Sequence, residues 1–261
     1  MTEIRLSSLG DTYLGEYEKK ISKEIIEDCK NSHFFIFNLE STLFKTKDFR
    51  KDKTSLLYSK KELLSIFSEI QTPIVNLGNN HIADYGFEGL VKTKSYLVSK
   101  GFKVVGAGND IKEALEPVIL NIRGKKIALF SATTDTFEVQ SKIANESFGC
   151  PSYKYHFSKI IKRLKEIEDL DYSIILLHWG NEFSNIISPD QRYYGRKFID
   201  SGFDLVLGSH THVIQGIEKY KNGLIAYSQG NFIFDSFNKS NSIWRQFFPS
   251  SSSISYLLNY N

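Results

Sequence analysis

Several short apolar runs of this sequence each end in side chains that can bind a metal ion or move a proton. The run PIVNLGNNHIADYG at 73–86 ends its β-rich part at Asn80 and His81. The other runs end in Asp11, in Asn38 and Glu40, in His178 and Glu182, and in His210 and His212. Because ligands of open α/β sheets bind beyond the carboxyl ends of the strands, we expect one site assembled from five places.

The residue types predict a divalent metal centre. Imidazole, carboxylate and amide ligands without a thiolate are typical of Mn, Fe or Zn rather than of Ca or an iron–sulfur cluster. A bridging carboxylate, Asp11 or Glu40, would hold two ions about 3.5–4 Å apart, and such a pair activates a water and binds a phosphoryl group. His81 stands next to Asn80, where it is placed to protonate a leaving alkoxide.

Each of these residues also has a structural interpretation. A single histidine after a strand is commonly a hydrogen-bonded structural residue, and Asn followed by His is frequent in turns. His210 and His212 carry more weight, since residues two apart on an extended chain project to the same side. Four of the six histidines lie at predicted strand ends, which favours a site over coincidence. We interpret the other two, His33 and His156, as structural or surface residues.

The elements that must position these residues follow from the apolar pattern. Runs rich in β-branched and aromatic residues predict strands at 4–9, 34–39, 73–77, 103–107, 117–122, 126–132, 172–177, 204–208 and 224–228. Helical patterns lie at 16–29, 60–69, 87–99, 155–168 and 190–201. This alternation predicts an α/β domain with parallel strands. The hairpin signal NIRGKKIAL and the helix-free stretch 203–235 add antiparallel strands, so we expect mixed sheets.

Composition sets limits on the class of protein. The 261 residues are 41% hydrophobic and 24% charged, as in a globular protein, and we predict one domain over 1–247 with a Ser-rich tail over 248–261. The net charge of +3 is too small and too dispersed to indicate a nucleic-acid partner. No run reaches the roughly 18 apolar residues of a membrane span, and the start lacks a signal sequence. We therefore predict a cytoplasmic protein.

Longer motifs extend this interpretation to a family. The sequence contains NLE, NNHIADYGFEGL, HWGNEF, PDQRYYGRKFIDSGFDLVLGSHTHVIQG and YSQGNFIFD in this order. Together they resemble the CapA family of poly-γ-glutamate capsule biosynthesis proteins, which is similar to the calcineurin-like metallophosphoesterases. The resemblance runs from about Gly10 to Asp235. It implies a four-layer αββα sandwich of two mixed sheets with a dinuclear metal centre.

The resemblance also implies a role for each residue of the predicted site. It makes His81 the general acid. The implied metal ligands are Asp11 and His212 for the first ion, Glu40 as the bridge, and Asn80, His178 and His210 for the second. The sequence departs from general metallophosphoesterases at Tyr13, where a histidine is usual, and at Glu40, where the bridge is usually an aspartate. Many CapA proteins also carry a membrane anchor, and we expect none in this chain.

Six further residues are candidates for supporting or substrate-binding roles. They are Asn38, Asp84, Glu182, Arg192, Gln215 and Asn231. Asp84 and Glu182 are placed to orient the histidines, as carboxylates commonly do around metal sites. For Asp84, capping of the helix that begins near Gly86 is an equally good interpretation. An arginine near the metals, such as Arg192, would suit an anionic substrate.

The function predicted from these features is metal-dependent phosphoester hydrolysis in capsule or exopolymer biosynthesis, with poly-γ-glutamate or a polysaccharide as the polymer. Two alternatives stay open: hydrolysis of an amide or γ-glutamyl bond by the same centre, and a non-catalytic metal-binding subunit of a polymer synthesis or export complex. His81 favours catalysis, because structural metal sites are closed by their ligands. Expected partners are an anionic polymer or phosphoester substrate and other capsule biosynthesis proteins.

Overall fold

The computed structural model describes residues 4–15, 23–53, 55–67, 70, 72–136, 140–234 and 256–260. Its strands are β1 Ile4–Tyr13, β2 Phe34–Leu39, β3 Pro73–Asn76, β4 Lys103–Val105, β5 Val118–Ile122, β6 Lys125–Thr133, β7 Tyr172–His178, β8 Leu205–Ser209, β9 Ile217–Tyr220, β10 Gly223–Ala226, β11 Asn231–Phe234 and β12 Tyr256–Tyr260. Its helices are α1 Lys23–Lys30, α2 Gly86–Ser99, α3 Ile111–Ala114, α4 Phe157–Lys165 and α5 Pro189–Asp200, with a 3₁₀ helix at Lys61–Phe67.

The strands form two six-stranded sheets. The first has the order β11-β1-β2-β3-β4, in which all neighbours are parallel, and β12 pairs antiparallel with the first half of β1. The second has the order β5-β6-β7-β8-β10-β9, with a parallel centre and antiparallel strands β5 and β9 at its edges. Arg123 and Gly124 join β5 to β6 with φ values of 51° and 78°. Two positive φ angles are typical of a type I′ hairpin turn, so the hairpin predicted there is confirmed.

Alternation of side chains along the strands separates three apolar cores. In β2, Phe34 and Ile36 face the second sheet, whereas Phe35 and Phe37 face the opposite way. The same period of two divides β7, where Leu176 faces the first sheet. The core between the sheets is therefore built from every second residue of both, and neither sheet presents a polar face at its centre.

Helices cover the two outer faces. The outer face of the first sheet packs against buried residues of α1, α2 and the 3₁₀ helix, including Cys29, Leu90 and Phe67. The outer face of the second sheet packs against α4 and α5 through Ile160 and Phe198. The molecule is thus a helix–sheet–sheet–helix sandwich, and the predicted α/β fold with two packed sheets is confirmed.

The element predictions hold in most places and are wrong in a few. All nine predicted strands are present, but β9, β11 and β12 were not predicted as separate strands. The stretch 203–235 is antiparallel only at β9 and β10, because β10 pairs parallel with β8 and β11 pairs parallel with β1. The first part of the predicted helix 16–29 lies outside the described residues, and so does Asp235.

Of the predicted C-terminal tail, the structure describes residues 256–260. Residues 248–255 of the predicted tail lie outside the described residues, while Tyr256–Tyr260 forms β12 beside β1. The division at 247 stays a prediction. Among the described residues, no helix combines the length and the apolar character needed to cross a bilayer. The cytoplasmic location stays a prediction as well.

Candidate metal centre

A polar cluster lies between the sheets, beyond the apolar core at the carboxyl ends of the strands. Asn38 continues the inward side of β2, Asn76 that of β3, His178 that of β7 and Ser209 that of β8. All four side chains are buried. The same alternation that builds the core therefore delivers polar groups to one place where the strands end.

Asp11 reaches this cluster through an irregularity in β1. The pairing of β1 with β2 shifts by one residue between Leu9 and Asp11, so that Asp11 pairs with Asn38. Leu9 packs in the outer core, and without the shift Asp11 would point outward too. Gly10 permits the shift, because a Cβ there would lie 1.9 Å from the carbonyl oxygen of Gly230.

His210 and His212 follow β8 in an unusual backbone conformation. Their φ angles are 94° and 57°, a region that residues with a side chain seldom adopt. The Oδ2 atom of Asp11 accepts a hydrogen bond of 2.9 Å from the backbone N–H of His210. The loop after β8 is thus tied to the end of β1, and both imidazoles are buried inside the cluster.

Six predicted metal ligands come together in two groups that share one residue. In each triad of imidazole and carboxylate groups, the ligand atoms lie within 4.8 Å of one another. Asn80 joins the first group, since its Oδ1 lies 2.9 Å from His178 Nε2. The triads are Glu40 with His178 and His210, and Glu40 with Asp11 and His212. The residue common to both is Glu40, the predicted bridge.

Burial opposes charge on four of the predicted metal ligands. Burial raises the pKa of Asp11, and burial together with the negative charge of Asp11 raises the pKa of Glu40 well above its ordinary value. Burial and the neighbouring imidazoles lower the pKa of His178 and His210 well below the ordinary value. Neutral imidazoles do not form ion pairs with Glu40 Oε1, although His178 Nε2 lies 3.6 Å from it. The atoms have the arrangement of ligands around a shared cation.

The donor set fits divalent metal ions. Glu40 Oε2 is buried and has no hydrogen-bond partner, which is unfavourable unless another group satisfies it. Neutral imidazole nitrogens, two carboxylates and an amide oxygen suit Mn, Fe or Zn. Divalent ions bound here would give Glu40 Oε2 a partner. They would also compensate the buried negative charge of Asp11 and Glu40.

Asn38 and Asn231 contact two of the predicted ligands, Asp11 and His212. The Asn38 side chain donates to Asp11 Oδ1 over 2.7 Å and accepts from Asn76 Nδ2 over 3.0 Å. Asn231 begins β11 opposite Asp11, and its Oδ1 lies 2.8 Å from His212 Nδ1. An acceptor at this distance fixes the orientation of the His212 ring, as groups around a metal site commonly do. Both predicted supporting residues are therefore in contact with predicted ligands.

His81 lies beside the two groups with its own set of partners. Its Nδ1 is 2.7 Å from Asp84 Oδ2, and its Nε2 is 3.9 Å from Glu40 Oε1. Because a carboxylate can only accept, His81 Nδ1 donates to Asp84, and Nε2 is the nitrogen turned toward the cluster. The alternative interpretation of Asp84, as the cap of α2, is wrong. Tyr85 is the N-cap residue of this helix, and no side chain caps it.

Sequence reasoning missed Lys53. This residue lies in the long connection after β2, and its side chain is only 5% exposed. Its Nζ donates to Asp84 Oδ1 over 2.9 Å and to the carbonyl oxygen of Asn80 over 2.7 Å. Burial lowers the pKa of Lys53. The segment KTKDFRKDK gives no periodic signal that separates Lys53 from its solvated neighbours, so only a run of charges was visible.

The remaining predicted residues lie farther from the ligands. Glu182 is exposed and lines a cavity of about 590 Å³ that reaches His210, so it is near the cluster at a solvent-facing position. Gln215 accepts from Gln191 Nε2 over 2.8 Å and donates to the carbonyl oxygen of Ser184, which braces the loop before α5. Among the described contacts, none joins Gln215 to a predicted metal ligand.

Arg192 lies in a different place. It lines a second cavity, of about 730 Å³, together with Tyr193, Arg196 and Tyr220 on the outer side of the second sheet. This cavity shares only Pro189 with the one that reaches His210. Contact between Arg192 and a substrate at the cluster therefore stays a prediction that this geometry does not favour.

Comparison with curated proteins gives two CapA proteins of Bacillus among the relatives of this chain. The chain is 30% identical over 250 residues to the capsule biosynthesis protein CapA of Bacillus anthracis, an alignment that covers 89% of this chain and 60% of that protein. It is 28% identical to the PGA biosynthesis protein CapA of Bacillus subtilis, with coverage of 88% and 63%. The chain thus spans about three fifths of the length of these relatives.

Comparison with solved structures supports the fold. A hypothetical protein from Thermus thermophilus superposes with a TM-score of 0.55 at 13% identity, covering 98% of this chain and 89% of that chain. A 5'-nucleotidase precursor from the same organism gives a TM-score of 0.52 at 13% identity, with coverage of 88% and 49%. At this level of identity the similarity concerns the fold alone.

A family match covers nearly the whole motif-bearing region. The description of that family is "Bacterial capsule synthesis protein PGA_cap", and the match extends over residues 10–236. It includes every residue of the cluster, from Asp11 at the end of β1 to Asn231 at the start of β11. The chain therefore belongs to the PGA_cap family of bacterial capsule synthesis proteins.

Proposed function

We propose that this chain is a metal-dependent phosphoester hydrolase that acts in capsule or exopolymer biosynthesis. Family membership and the two ligand groups that share Glu40 support the proposal. The observation that carries it is the position of His81, which belongs to neither group although its Nε2 lies 3.9 Å from Glu40 Oε1. A purely structural metal site would need no such residue, since its ligands close it.

Two divalent ions of the Mn, Fe or Zn type would occupy the cluster. Bound there, they would polarise a phosphoryl group and lower the pKa of a water molecule. The residues that would hold them are Asp11, Glu40, Asn80, His178, His210 and His212. Asn38 and Asn231 would keep Asp11 and His212 in place through the contacts of 2.7 Å and 2.8 Å.

His81 would supply the proton that the leaving oxygen needs from Nε2, and because Nδ1–H already donates to Asp84, it would do so as the imidazolium. The negative charge of a bound phosphoester would favour that form. Asp84 accepts from Nδ1, so the ring turns its Nε2 toward Glu40 and the ligand groups. A positioned general acid contributes about 10²–10⁴ in rate, most of it for leaving groups of high pKa. His81 is buried, and its exclusion from both ligand groups leaves it available for proton transfer.

The cavity that reaches His210 would receive the substrate. Its polar lining includes Thr134, Asn181 and Glu182, and the ammonium of Lys154 lies 3.1 Å from Asp190 Oδ1. A lining of hydroxyl, amide and charged groups suits a hydrophilic phosphoester rather than an apolar one. An anionic polymer would approach the cluster from this side, and other capsule biosynthesis proteins would be its partners.

The experiment that tests the proposal combines metal analysis with turnover. Protein purified without chelator should contain close to two equivalents of transition metal, and D11A and H210A should each contain less. The wild type should hydrolyse aryl phosphomonoesters or phosphodiesters with Mn, Fe or Zn supplied. Turnover of γ-glutamyl amides alone would favour the amide hydrolase alternative. Metal binding without turnover of either class would favour a non-catalytic accessory subunit. Two relatives from Mycobacterium tuberculosis are named probable polyglutamine synthesis accessory proteins.

A further inference from the structure

Lys53 is buried at a position where a lysine is costly. Its side chain is 5% exposed, and that of Asp84, its partner, is fully buried. Lysine is seldom buried unless it is paired, and a buried ion pair contributes little to stability compared with an apolar pair of similar size. The position therefore calls for an explanation other than stability.

The contacts of Lys53 join two residues that flank His81. Its Nζ donates to the main-chain oxygen of Asn80, the residue before His81, and to the side chain of Asp84, three residues after it. The same Nζ lies 3.1 Å from His81 Nδ1. One ammonium group thus ties a proposed metal ligand to the proposed partner of the general acid.

Asp84 is held on both of its oxygens. Oδ1 accepts from Lys53, while Oδ2 accepts from His81 Nδ1 and from the backbone N–H of Leu57 over 2.6 Å. Burial raises the pKa of Asp84, but His81, Lys53 and the Leu57 N–H together lower it below the ordinary value. The carboxylate cannot rotate without losing one of these bonds, so the direction of the imidazole ring is fixed as well.

We propose that Lys53 is a positioning residue for His81. By fixing Asp84 and the Asn80 carbonyl in one arrangement, Lys53 keeps His81 Nε2 turned toward Glu40 and at a set distance from the metal ligands. The inference rests on the proposed function for its kinetic consequence. Its structural part, the orientation of the imidazole, does not depend on any activity.

The test uses K53M, which removes the ammonium, and K53Q, which keeps a donor in case K53M folds poorly. K94M is the matched control, because Lys94 also donates to a carboxylate, Glu113, and to a carbonyl oxygen, that of Ala107, away from the cluster. The first readout is ¹⁵N NMR of the His81 ring nitrogens in metal-free protein, assigned with H81A. We expect these resonances to shift in K53M and K53Q and to stay in place in K94M.

The second readout is a double-mutant cycle on an alkyl phosphoester. We expect K53M to lower kcat by about 10- to 100-fold with little change in KM, as loss of a supporting group commonly does. The loss should be smaller for nitrophenyl esters. Because Lys53 acts through His81, adding K53M to H81A should lower kcat no further.

The two readouts separate the inference from the proposed function. Unchanged His81 ring resonances in K53M and K53Q would overturn the positioning role, and so would effects of K53M and H81A that multiply. If the wild type hydrolyses no phosphoester, the proposed function fails, and the NMR comparison alone decides whether Lys53 positions His81.

Discussion

His81 and His156 occupy two regions that look alike until their partners are compared. Both side chains are buried, and burial lowers the pKa of each to about 4. His156 Nδ1 accepts a hydrogen bond of 3.0 Å from the backbone N–H of Ser152, and its Nε2 faces the amide oxygen of Asn145. His81 Nδ1 donates to the carboxylate of Asp84, with the Lys53 ammonium 3.1 Å away, and Nε2 faces the carboxylate of Glu40.

A shifted pKa therefore does not by itself mark a functional histidine. Burial disfavours the imidazolium in both regions, whatever the residue does. What distinguishes His81 is a charged partner on one nitrogen and an approach to the ligand groups on the other. Both ring nitrogens of His156 contact neutral groups, the backbone N–H of Ser152 and the side chain of Asn145, as in a structural residue.

The largest expected difference between the two regions is in turnover. H81A should lose about 10²–10⁴ in kcat on an alkyl phosphoester, because the leaving oxygen then departs without a proton donor. H156A should keep kcat close to that of the wild type. Steady-state kinetics with a series of leaving groups measures both, and the H81A deficit should be smallest for nitrophenolate.

Metal analysis tests whether H81A loses activity because it loses its metal. H81A should retain nearly the metal content and the thermal stability of the wild type, since His81 belongs to neither ligand group. If H81A loses its metal, His81 is a ligand and the division between Asn80 and His81 is wrong. An equal loss of kcat in H156A would remove the distinction between the two regions.

Metal should change the stability of the protein through the region around His81 and Glu40, and not through the region around His156. E40Q should lower the metal content from about two equivalents to below one, because Glu40 is common to both ligand groups. Without metal, E40Q should be more stable than the wild type by about 1–3 kcal/mol, because the amide places no buried negative charge beside Asp11. Elemental analysis and thermal unfolding with and without chelator measure the two effects.

The matched variant for that prediction is H156Q. Its melting temperature should rise on metal addition by as much as that of the wild type, whereas the rise should nearly vanish in E40Q. Full metal content in E40Q would contradict a bridging position for Glu40.

Substitution of His156 should affect the free energy of unfolding rather than turnover. H156A should lower the free energy of unfolding by about 1–3 kcal/mol, because the buried N–H of Ser152 loses its acceptor. H33A is the control, since His33 Nδ1 also accepts a backbone N–H, that of Arg5, in a partly exposed place where water can substitute. Denaturant unfolding should give a clearly smaller loss for H33A, and equal losses would contradict this account of His156.

The loss of stability in H156A should also depend on pH. The pKa of His156 is about 4 in the folded protein and about 6.5 when unfolded, so between these values the unfolded chain binds more protons. His156 therefore stabilises the fold less as the pH falls from about 6.5 toward 4. The difference in unfolding free energy between wild type and H156A should shrink over this range. A difference that stays constant would mean that His156 keeps its ordinary pKa.

Much of the fold could be predicted because it depends on local pattern. Each strand of the parallel centres is a short apolar run, and the polar residue after it marks the end that faces the site. This logic located Asn80, His178 and His210 before any geometry was known. The wider resemblance added the order of the layers.

The rest depended on contacts between distant segments. The register shift that turns Asp11 inward is produced by the close approach of Gly230 to Gly10, and no periodicity of β1 reveals it. The parallel pairing of β11 with β1 joins segments more than two hundred residues apart. The position of Lys53 could not be predicted for the same reason, because a loop without regular structure brings it beside Asp84. Arg192 is a different case, because this charge in a resemblance-bearing segment lines a cavity other than the one that reaches His210.

The left-handed backbone at His210 and His212 has an evolutionary consequence. Holding a residue with a side chain at such φ angles costs about 1–3 kcal/mol, whereas glycine adopts them readily. Selection for stability alone would therefore replace both histidines with glycine or asparagine. If the imidazoles bind metal as proposed, selection for that chemistry would oppose selection for a more stable backbone at these two positions. In descendants that no longer need this site, these two positions should be among the first to change.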